Sequence, residues 1–150
     1  MAAKAYYPLF LDIEGRRVVV VGAGKIGFRK ARGLVEAGAR VVVIAPEFDP
    51  RFENLEVERV SRGYSEGDLT GAMLVFAATD NRDVNRRVGE AARALGIPVN
   101  VADAPVECAF VVPARAVVDG IHVAVSTGGT DPARAARVRS EIEMFLKEGR

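Results

Sequence analysis

Short runs of consecutive apolar residues, rich in Val and Ala, recur along the first two thirds of the chain. Runs that are apolar at every position are typical of parallel strands that helices cover on both faces. A weaker run at Val57–Val60 is predicted to be an edge strand. The predicted inner strands are Arg17–Val21, Arg40–Ala45, Met73–Ala78 and Ile97–Ala102.

Between these strands, apolar positions repeat with the period of a helix. The first predicted helix covers Gly27–Val35 and ends before Gly38. The second has its apolar stripe over Val84–Leu95, and Thr79 and Asp80 are its candidate N-caps. Alternation of strands and helices at these lengths implies right-handed βαβ units and a doubly wound sheet with the strand order 3-2-1-4-5.

The pattern changes after Pro113. The apolar runs Ala114–Val118 and Ile121–Ser126 flank Asp119-Gly120, which predicts a β-hairpin with a primed turn. Asp131-Pro132 then supplies the cap and first residue of an amphipathic helix. A hairpin and one helix are too small to bury their own apolar faces, so we expect this segment to pack on another surface.

Composition and charge indicate a soluble globular domain. The 150 residues are 49% hydrophobic and 27% charged, which is ordinary for a folded chain with one core. Lys and Arg number 21 against 20 Asp and Glu, so the bulk charge gives no reason to expect nucleic acid or an anionic membrane as a partner. No apolar run approaches the roughly 20 residues that a membrane-spanning helix requires.

The sequence favours a cytoplasmic location. Cys108 is the only cysteine, so no internal disulfide forms and no oxidising compartment is needed. The chain also lacks a charged N-terminal segment followed by an apolar run, which argues against a secretory leader.

The segment Gly22–Gly27 (GAGKIG) matches the G-x-G-x-x-G pattern of dinucleotide-binding loops. The pattern alone also fits a tight turn without a ligand, but here a strand leads into it and a helix begins inside it. In that setting Gly22 permits the turn, Gly24 the approach of a pyrophosphate, and Gly27 the contact between helix and strand. The candidate cofactor-binding residues of this loop are Gly22, Gly24, Lys25, Ile26 and Gly27.

The fingerprint lacks the carboxylate that is expected about 20 residues further on, at the end of the second strand. Ala45 and Pro46 stand there, and Pro46 is the candidate cofactor contact at this position. Glu47 or Asp49 could still reach the ribose. No arginine stands at the strand end to hold a 2′-phosphate, so NAD is preferred over NADP, although Arg51 keeps NADP open.

Two further segments end at the carboxyl edge of the predicted sheet. Thr79 and Asp80 follow the fourth strand, where they either contact the cofactor or cap the next helix. Asn100 and Asp103 close the fifth strand, and Asp103 is the best-placed carboxylate for proton transfer beside a nicotinamide ring. From the residues alone, a turn before Pro105 is the stronger interpretation of Asp103.

The remaining candidate side chains can be explained by structural roles as well as by functional ones. Arg134 and Arg137 share one face of the last helix, which is either a solvated surface or a docking site for a polycarboxylate. We expect His122 to be a surface or interface residue and Cys108 to be a buried small side chain. No His/Cys cluster has the spacing of a zinc site, so we predict no bound metal.

Five segments occur in a characteristic order and spacing. They are Pro8-Leu9-Phe10, the glycine loop with Arg29-Lys30-Ala31, Ala77–Asp80 with Asn85, Asn100–Pro105, and Ser126–Pro132. This series resembles the precorrin-2 dehydrogenase and sirohydrochlorin ferrochelatase family, which includes the N-terminal half of sirohaem synthase. The resemblance runs from about Pro8 to the C-terminal helix.

The resemblance implies an oxidoreductase that uses NAD to oxidise precorrin-2, a tetrapyrrole, to sirohydrochlorin in sirohaem biosynthesis. In some members of the family, ferrous iron is then inserted as a second substrate. The resemblance also implies that Asp103 is the catalytic aspartate and that the glycine loop with Thr79 and Asp80 forms the NAD site. The candidate substrate-binding residues are Asn100, Ser126, Arg134 and Arg137.

The expected fold is therefore α/β, with a Rossmann-like doubly wound parallel sheet in residues 1–113. A hairpin and helix in residues 114–150 form the expected dimerisation segment of a homodimer. Members of the family usually continue into a further helical domain that helps to cover the substrate. No counterpart of that helical domain is recognised in the 150 residues of this sequence. This difference most weakens the expectation of iron insertion.

A nucleotide-sensing regulatory domain, like those that gate potassium transport, is the competing class. Such a module also has a glycine loop and dimerises, but it should carry the carboxylate at the end of the second strand. It has no need of the Asn100–Asp103 segment. A non-catalytic scaffold is disfavoured by the intact glycine loop, so the sequence favours an enzyme.

Overall fold

The computed structural model describes residues 4–149, and these form two compact units. The Rossmann-like unit comprises residues 10–110, and the hairpin–helix unit comprises residues 4–9 with residues 111–149. The sequence predicts one domain over residues 1–113, whereas the structure groups residues 4–9 with the hairpin and last helix. A Cβ atom at Gly128 would lie 3.8 Å from the Lys4 carbonyl oxygen and 4.0 Å from the Tyr6 ring, so the N-terminal segment runs beside the loop before that helix.

The Rossmann-like unit contains a parallel five-stranded sheet with the strand order β3-β2-β1-β4-β5. This order and the edge position of the weakest strand confirm the sequence prediction. The observed strands lie within the predicted runs. They are β1 (Arg17–Val21), β2 (Arg40–Ile44), β3 (Glu58–Val60), β4 (Leu74–Ala77) and β5 (Val99–Val101).

Two helices cover the sheet, α1 (Lys25–Glu36) and α2 (Arg82–Ala94). Alternate residues of β1 explain this arrangement, because Val18 and Val20 pack in the same cluster as α1 while Val19 and Val21 pack in the cluster of α2. All four valines are at most 1% exposed. The helices therefore lie on opposite faces, as a doubly wound sheet requires.

The cap of α2 differs from the prediction. Asn81, not Thr79 or Asp80, is the N-cap, and its side-chain oxygen accepts hydrogen bonds from the backbone N–H groups of Asp83 and Val84 at 2.9 and 3.1 Å. The prediction was wrong because β4 ends at Ala77 and the chain needs a longer connection before the helix begins. Hydrogen bonds between the Thr79 hydroxyl and the backbone of Asn81 shape that connection.

The hairpin–helix unit contains β6 (Ala114–Val118), β7 (Ile121–Val125) and α3 (Pro132–Lys147). The hairpin is antiparallel, and positive φ angles at Asp119 and Gly120 confirm the primed turn. Asp131 caps α3 by accepting a hydrogen bond from the Arg134 N–H. Among residues 4–149, no helix has both the length and the apolar character needed to cross a membrane.

The tightest backbone approach in the Rossmann-like unit gives a stability test. Gly22 has φ +116°, and a Cβ atom there would collide with the backbone carbonyl of Ala78. We expect Gly22→Ala to lower the free energy of unfolding by about 2 to 6 kcal/mol, because left-handed strain and overpacking each cost about 1–3 kcal/mol. Urea denaturation measures the change.

Gly63→Ala is the matched control, since Gly63 has no positive φ and no heavy atom within 4 Å of its Cβ position. Its free energy of unfolding should stay within about 0.5 kcal/mol of the parent protein. Equal effects of the two substitutions would contradict the close approach at Gly22.

Candidate functional site

The glycine loop connects β1 to α1 and is packed differently at each glycine. Gly22 lies against the backbone of Ala78 at the end of β4, and a Cβ atom at Gly27 would collide with the Gly22 carbonyl. Gly24, by contrast, is exposed and has nothing within 4 Å of its Cβ position. The first and third glycines therefore allow backbone to pack on backbone, while the second leaves open space in front of the helix.

The N-terminus of α1 is an anion-binding arrangement. Gly24 is its N-cap without a side-chain hydrogen bond, and the first turn contains no acidic residue. The first hydrogen bond that the helix closes runs from the Phe28 N–H to the Gly24 carbonyl at 2.9 Å. The N–H groups of Lys25 and Ile26 precede it and have no acceptor within the helix, so they carry the positive end of the helix dipole. Both side chains are exposed.

The connection after β2 is held against this loop. The Asp49 N–H donates a 2.8 Å hydrogen bond to the Ala23 carbonyl, and the exposed Pro46 lies just beyond the buried Ala45. The Asp49 carboxylate binds the Arg51 guanidinium in two places, Oδ1 to Nε and Oδ2 to Nη2, each at 2.9 Å. Hydrogen bonds from the Arg51 side chain and backbone lower the pKa of Asp49 to about 2. Of the two acidic candidates for a ribose contact, Asp49 is thus already engaged.

Thr79 forms a compact turn at the end of β4. The Asn85 side-chain oxygen accepts hydrogen bonds from the Thr79 N–H at 3.1 Å and from its hydroxyl at 2.6 Å, and the Asn85 amide donates to the Thr79 carbonyl at 3.0 Å. Asn85 belongs to α2 and is fully buried, so its side chain ties the turn to that helix. Asp80 is exposed beside it.

Asp103 lies at the same carboxyl edge of the sheet. The Ala102 N–H donates to the Ala77 carbonyl at 2.9 Å and carries the strand pairing to the residue before Asp103. The Asp103 side chain is 38% exposed, and its Oδ1 accepts a 2.8 Å hydrogen bond from Nη1 of Arg82, the first residue of α2. The Arg82 guanidinium also binds both oxygens of Glu107, at 2.8 and 2.6 Å.

This pairing has an electrostatic consequence. The hydrogen bond to Glu107, followed by the charge of Asp103, raises the pKa of Arg82. The guanidinium stays charged and holds the Asp103 carboxylate at one position. A carboxylate held in this way keeps a fixed position at the sheet edge.

Asn100 occupies a structural position within β5. It is 8% exposed, and its side-chain amide donates a 3.0 Å hydrogen bond to the Phe110 carbonyl. The Phe110 ring in turn packs edge-on against Phe76. Asn100 therefore anchors the end of the Rossmann-like unit.

The remaining candidate substrate residues lie in the hairpin–helix unit. Ser126 is exposed, and its hydroxyl accepts a 3.0 Å hydrogen bond from the Gly128 N–H. Arg134 and Arg137 are exposed on α3, and neither forms an ion pair within residues 4–149. Arg139, by contrast, binds Glu143 at 2.7 Å.

No metal-type cluster of three or more His, Cys, Asp or Glu side chains occurs among residues 4–149. The sequence predicts a buried Cys108, but the residue is only half-buried. Its thiol accepts a 3.1 Å hydrogen bond from the Val101 N–H and donates to the Val101 carbonyl at 3.2 Å. Cys108 packs against the hydrophobic core at the end of β5.

The roles of three side chains that shape the site were not predicted from the sequence. Asn85 was noted only within a motif, although a buried amide on an otherwise apolar helix stripe is a detectable signal. Arg82 and Arg51 were not recognised as partners of Asp103 and Asp49, because exposed arginines have many possible partners along a sequence. Only the folded chain shows which carboxylate each guanidinium reaches.

Comparison with known proteins gives consistent matches. A family described as "Putative NAD(P)-binding" matches residues 9–114. The siroheme synthase of Stutzerimonas stutzeri (strain A1501) is 43% identical over 145 residues, and that of Pseudomonas putida (strain W619) is 44% identical over 145 residues. Each match covers 94% of this chain but 31% of the relative, so the chain spans less than a third of their length.

A solved structure of SirC, a precorrin-2 dehydrogenase, matches with a TM-score of 0.77 and 26% identity. The match covers 93% of this chain and 71% of that one. The residues of the glycine loop fit the dinucleotide that an NAD(P)-binding family binds. The space in front of Gly24 is open, and the first N–H groups of α1 are uncapped.

Gly24 provides a direct test of this fit. We expect Gly24→Val to abolish NAD binding, because its side chain would fill the space through which a pyrophosphate approaches the N–H groups of α1. The fold should persist, since the loss of a favourable N-cap residue costs only about 1 kcal/mol. Calorimetric titration with NAD measures the affinity, and Gly63→Val serves as the control. Equal affinity in Gly24→Val and the parent protein would remove the glycine loop from the binding site.

Proposed function

Because the chain belongs to this NAD(P)-binding family, we propose that it is an NAD-dependent dehydrogenase that oxidises precorrin-2 to sirohydrochlorin in sirohaem biosynthesis. The similarity to siroheme synthases and to a precorrin-2 dehydrogenase supports this substrate. The proposal concerns the dehydrogenase step, which needs a dinucleotide site and a proton acceptor.

One observation carries the proposal. Within the Rossmann-like unit, the glycine loop, the Thr79 turn and Asp103 all lie at the carboxyl edge of one parallel sheet. That edge is where open α/β sheets bind their ligands, at the point where the strand order reverses around β1. A carboxylate at this edge can face the reactive end of a dinucleotide that the glycine loop holds.

The proposed chemistry removes two hydrogen atoms from the tetrapyrrole. Bound NAD supplies a hydride acceptor, and the other hydrogen leaves as a proton. Asp103 accepts that proton as a general base, and Arg82 keeps the carboxylate oriented. We assign Thr79 and Asp80 to the cofactor side of the edge and Pro46 to its adenosine side.

We assign binding of the substrate carboxylates to the exposed cations of α3. Arg134 and Arg137 have no acidic partner within residues 4–149, so both guanidinium groups are available for carboxylates. Ser126 offers a hydroxyl donor, and Asn100 contributes by shaping the segment that ends at Phe110. Insertion of ferrous iron stays a prediction from the resemblance.

We propose that the protein acts in the cytoplasm. Its single cysteine is present as a free thiol within a hydrogen-bonded turn, and this state is stable in a reducing compartment.

We further propose that the hairpin–helix unit mediates a homodimer. Four large apolar side chains of this unit are 50–61% exposed, which is costly in water. They are Val117, Ile121, Met144 and Phe145. A second copy of the chain presents the same surface, so a two-fold interface would bury both sets at once.

The catalytic assignment predicts the behaviour of Asp103→Asn. The substitution keeps the size and turn-forming ability of the residue but removes the basic oxygen. NAD affinity should be retained, while precorrin-2 oxidation should fall by roughly 10²-fold or more, as expected for the loss of a general base. Turnover is measured by sirohydrochlorin absorbance and normalised to the fraction that binds NAD.

Asp83→Asn is the matched control, since Asp83 is an exposed carboxylate whose 3.8 Å contact with Arg86 is weak. Its rate should equal that of the parent protein. A rate for Asp103→Asn within about threefold of the parent, far short of a general base's contribution, would limit Asp103 to a turn residue.

The dimer proposal predicts a sedimentation mass of twice 16.1 kDa at micromolar concentration. Phe145→Glu should shift the protein to monomer, because a buried charge without a partner is strongly unfavourable at an interface. Leu95→Glu, an equally exposed apolar position in the Rossmann-like unit, should leave the dimer intact. A monomeric parent protein would contradict the proposal.

A further inference from the structure

A small cavity of about 120 Å³ beside the start of α1 is lined mainly by cations. Lys25, Arg29 and Arg32 reach it from successive turns of the helix, and Arg51 reaches it from the 3₁₀ turn Pro50–Asn54 that follows β2. Phe28 forms its aromatic wall. No other charged side chain lines the cavity within residues 4–149.

The charge of this cavity is not balanced within the described residues. Lys25 and Arg29 form no ion pair there, and Arg32 is 3.7 Å from Glu36 with both side chains more than half exposed. Such an exposed pair contributes little. With Asp49 counted as the partner of Arg51, four cations face two carboxylates. These six side chains therefore carry a net charge of +2. The whole chain has a net charge of only +1, so positive charge is concentrated at this cavity.

Arg51 is oriented for a second ligand. Asp49 binds its Nε and Nη2 atoms, and the guanidinium carbon lies 4.7 Å from the centre of the Phe28 ring. The stacking and the paired hydrogen bonds fix the plane of the guanidinium. Its Nη1 atom has no hydrogen-bond acceptor within residues 4–149 and remains available to an anion.

The position of the cavity favours one kind of anion. The connection that carries Arg51 is attached to the glycine loop through the hydrogen bond from Asp49 to Ala23. In dinucleotide-binding sheets, the segment after the second strand recognises the 2′ position of the adenosine ribose, and an arginine there accommodates a 2′-phosphate. A phosphate monoester carries a charge of about −1.5 to −2 at neutral pH, which matches the excess charge of the cavity.

We propose that the Lys25, Arg29, Arg32 and Arg51 cavity binds the 2′-phosphate of NADP, so that the protein accepts NADP as well as NAD. The inference rests on the proposed dinucleotide site but not on the chemistry at Asp103. Arg51 has a double effect, because it offers a donor to the phosphate and neutralises the Asp49 carboxylate that would otherwise repel it.

Calorimetric titration of the full chain with NADP and with NAD tests the proposal. The parent protein should bind NADP at least as tightly as NAD. Arg51→Ala should weaken NADP binding by about tenfold or more, the size expected for a charged hydrogen bond. Its NAD affinity should stay within about twofold or improve, because the released Asp49 carboxylate can accept the ribose hydroxyl.

Arg29→Ala is a second variant, which keeps the Asp49 side chain unchanged and should also weaken NADP selectively. Arg86→Ala is the control, since Arg86 lies on α2 and pairs with Glu90. NAD binding with NADP more than about tenfold weaker would overturn the inference and leave the proposed function standing. Equal losses for both dinucleotides in the variants would assign the cations to the pyrophosphate instead and would also overturn it. Failure of the parent protein to bind either dinucleotide would contradict the proposed function itself.

Discussion

The backbone packing around Gly22 is the constraint on which the rest of the candidate site depends. The Gly22 α-carbon lies against the Ala78 carbonyl, and its own carbonyl lies against Gly27, so neither glycine has room for a Cβ atom. These two approaches set the start of α1 directly beside the ends of β1 and β4. The uncapped helix N-terminus and the Thr79 turn therefore occupy the same sheet edge, and the pairing of β4 with β5 adds Asp103 to it.

Arginines then control the charge of that edge. The Asp103 carboxylate binds Arg82, and the Asp49 carboxylate binds Arg51, each through hydrogen bonds of 2.8–2.9 Å. Arg82 reaches Asp103 from the start of α2, whereas Arg51 lies two residues after Asp49 in the same connection after β2. With both carboxylates paired, the dipole of α1 and the cations beside Lys25 dominate the electrostatics of the loop. An anionic cofactor and the paired Asp103 carboxylate can thus be held at one edge with little mutual repulsion.

The fold was largely predictable from sequence because its signals are local. Fully apolar runs such as Val18–Val21 predict covered parallel strands, and Asp119-Gly120 predicts the hairpin turn, since each depends only on neighbouring residues. The cap at Asn81 was missed because the length of the connection after β4 is set by the tertiary contact between Thr79 and Asn85. The grouping of residues 4–9 with the hairpin–helix unit has no local signal at all.

The site was predictable only in part, because some of its contacts join elements that are far apart in the sequence. The glycine loop and the position of Asp103 follow from the topology of a doubly wound sheet. The arginine partners, and the buried role of Asn100 beside Phe110, depend on which side chains meet across different elements. Long exposed side chains have many possible partners along a sequence, so their pairing is decided by the fold.

Turnover of the unaltered chain tests the proposed dehydrogenase function without any substitution. Purified protein is mixed with NAD and precorrin-2 under anaerobic conditions, so that oxygen cannot act as the oxidant, and the absorbance of sirohydrochlorin and of NADH is followed together. We expect both products to appear at the same rate, with one NADH formed for each sirohydrochlorin and none in the absence of either substrate. Tight binding of NAD without any formation of sirohydrochlorin or NADH would contradict it and would favour a nucleotide-sensing domain.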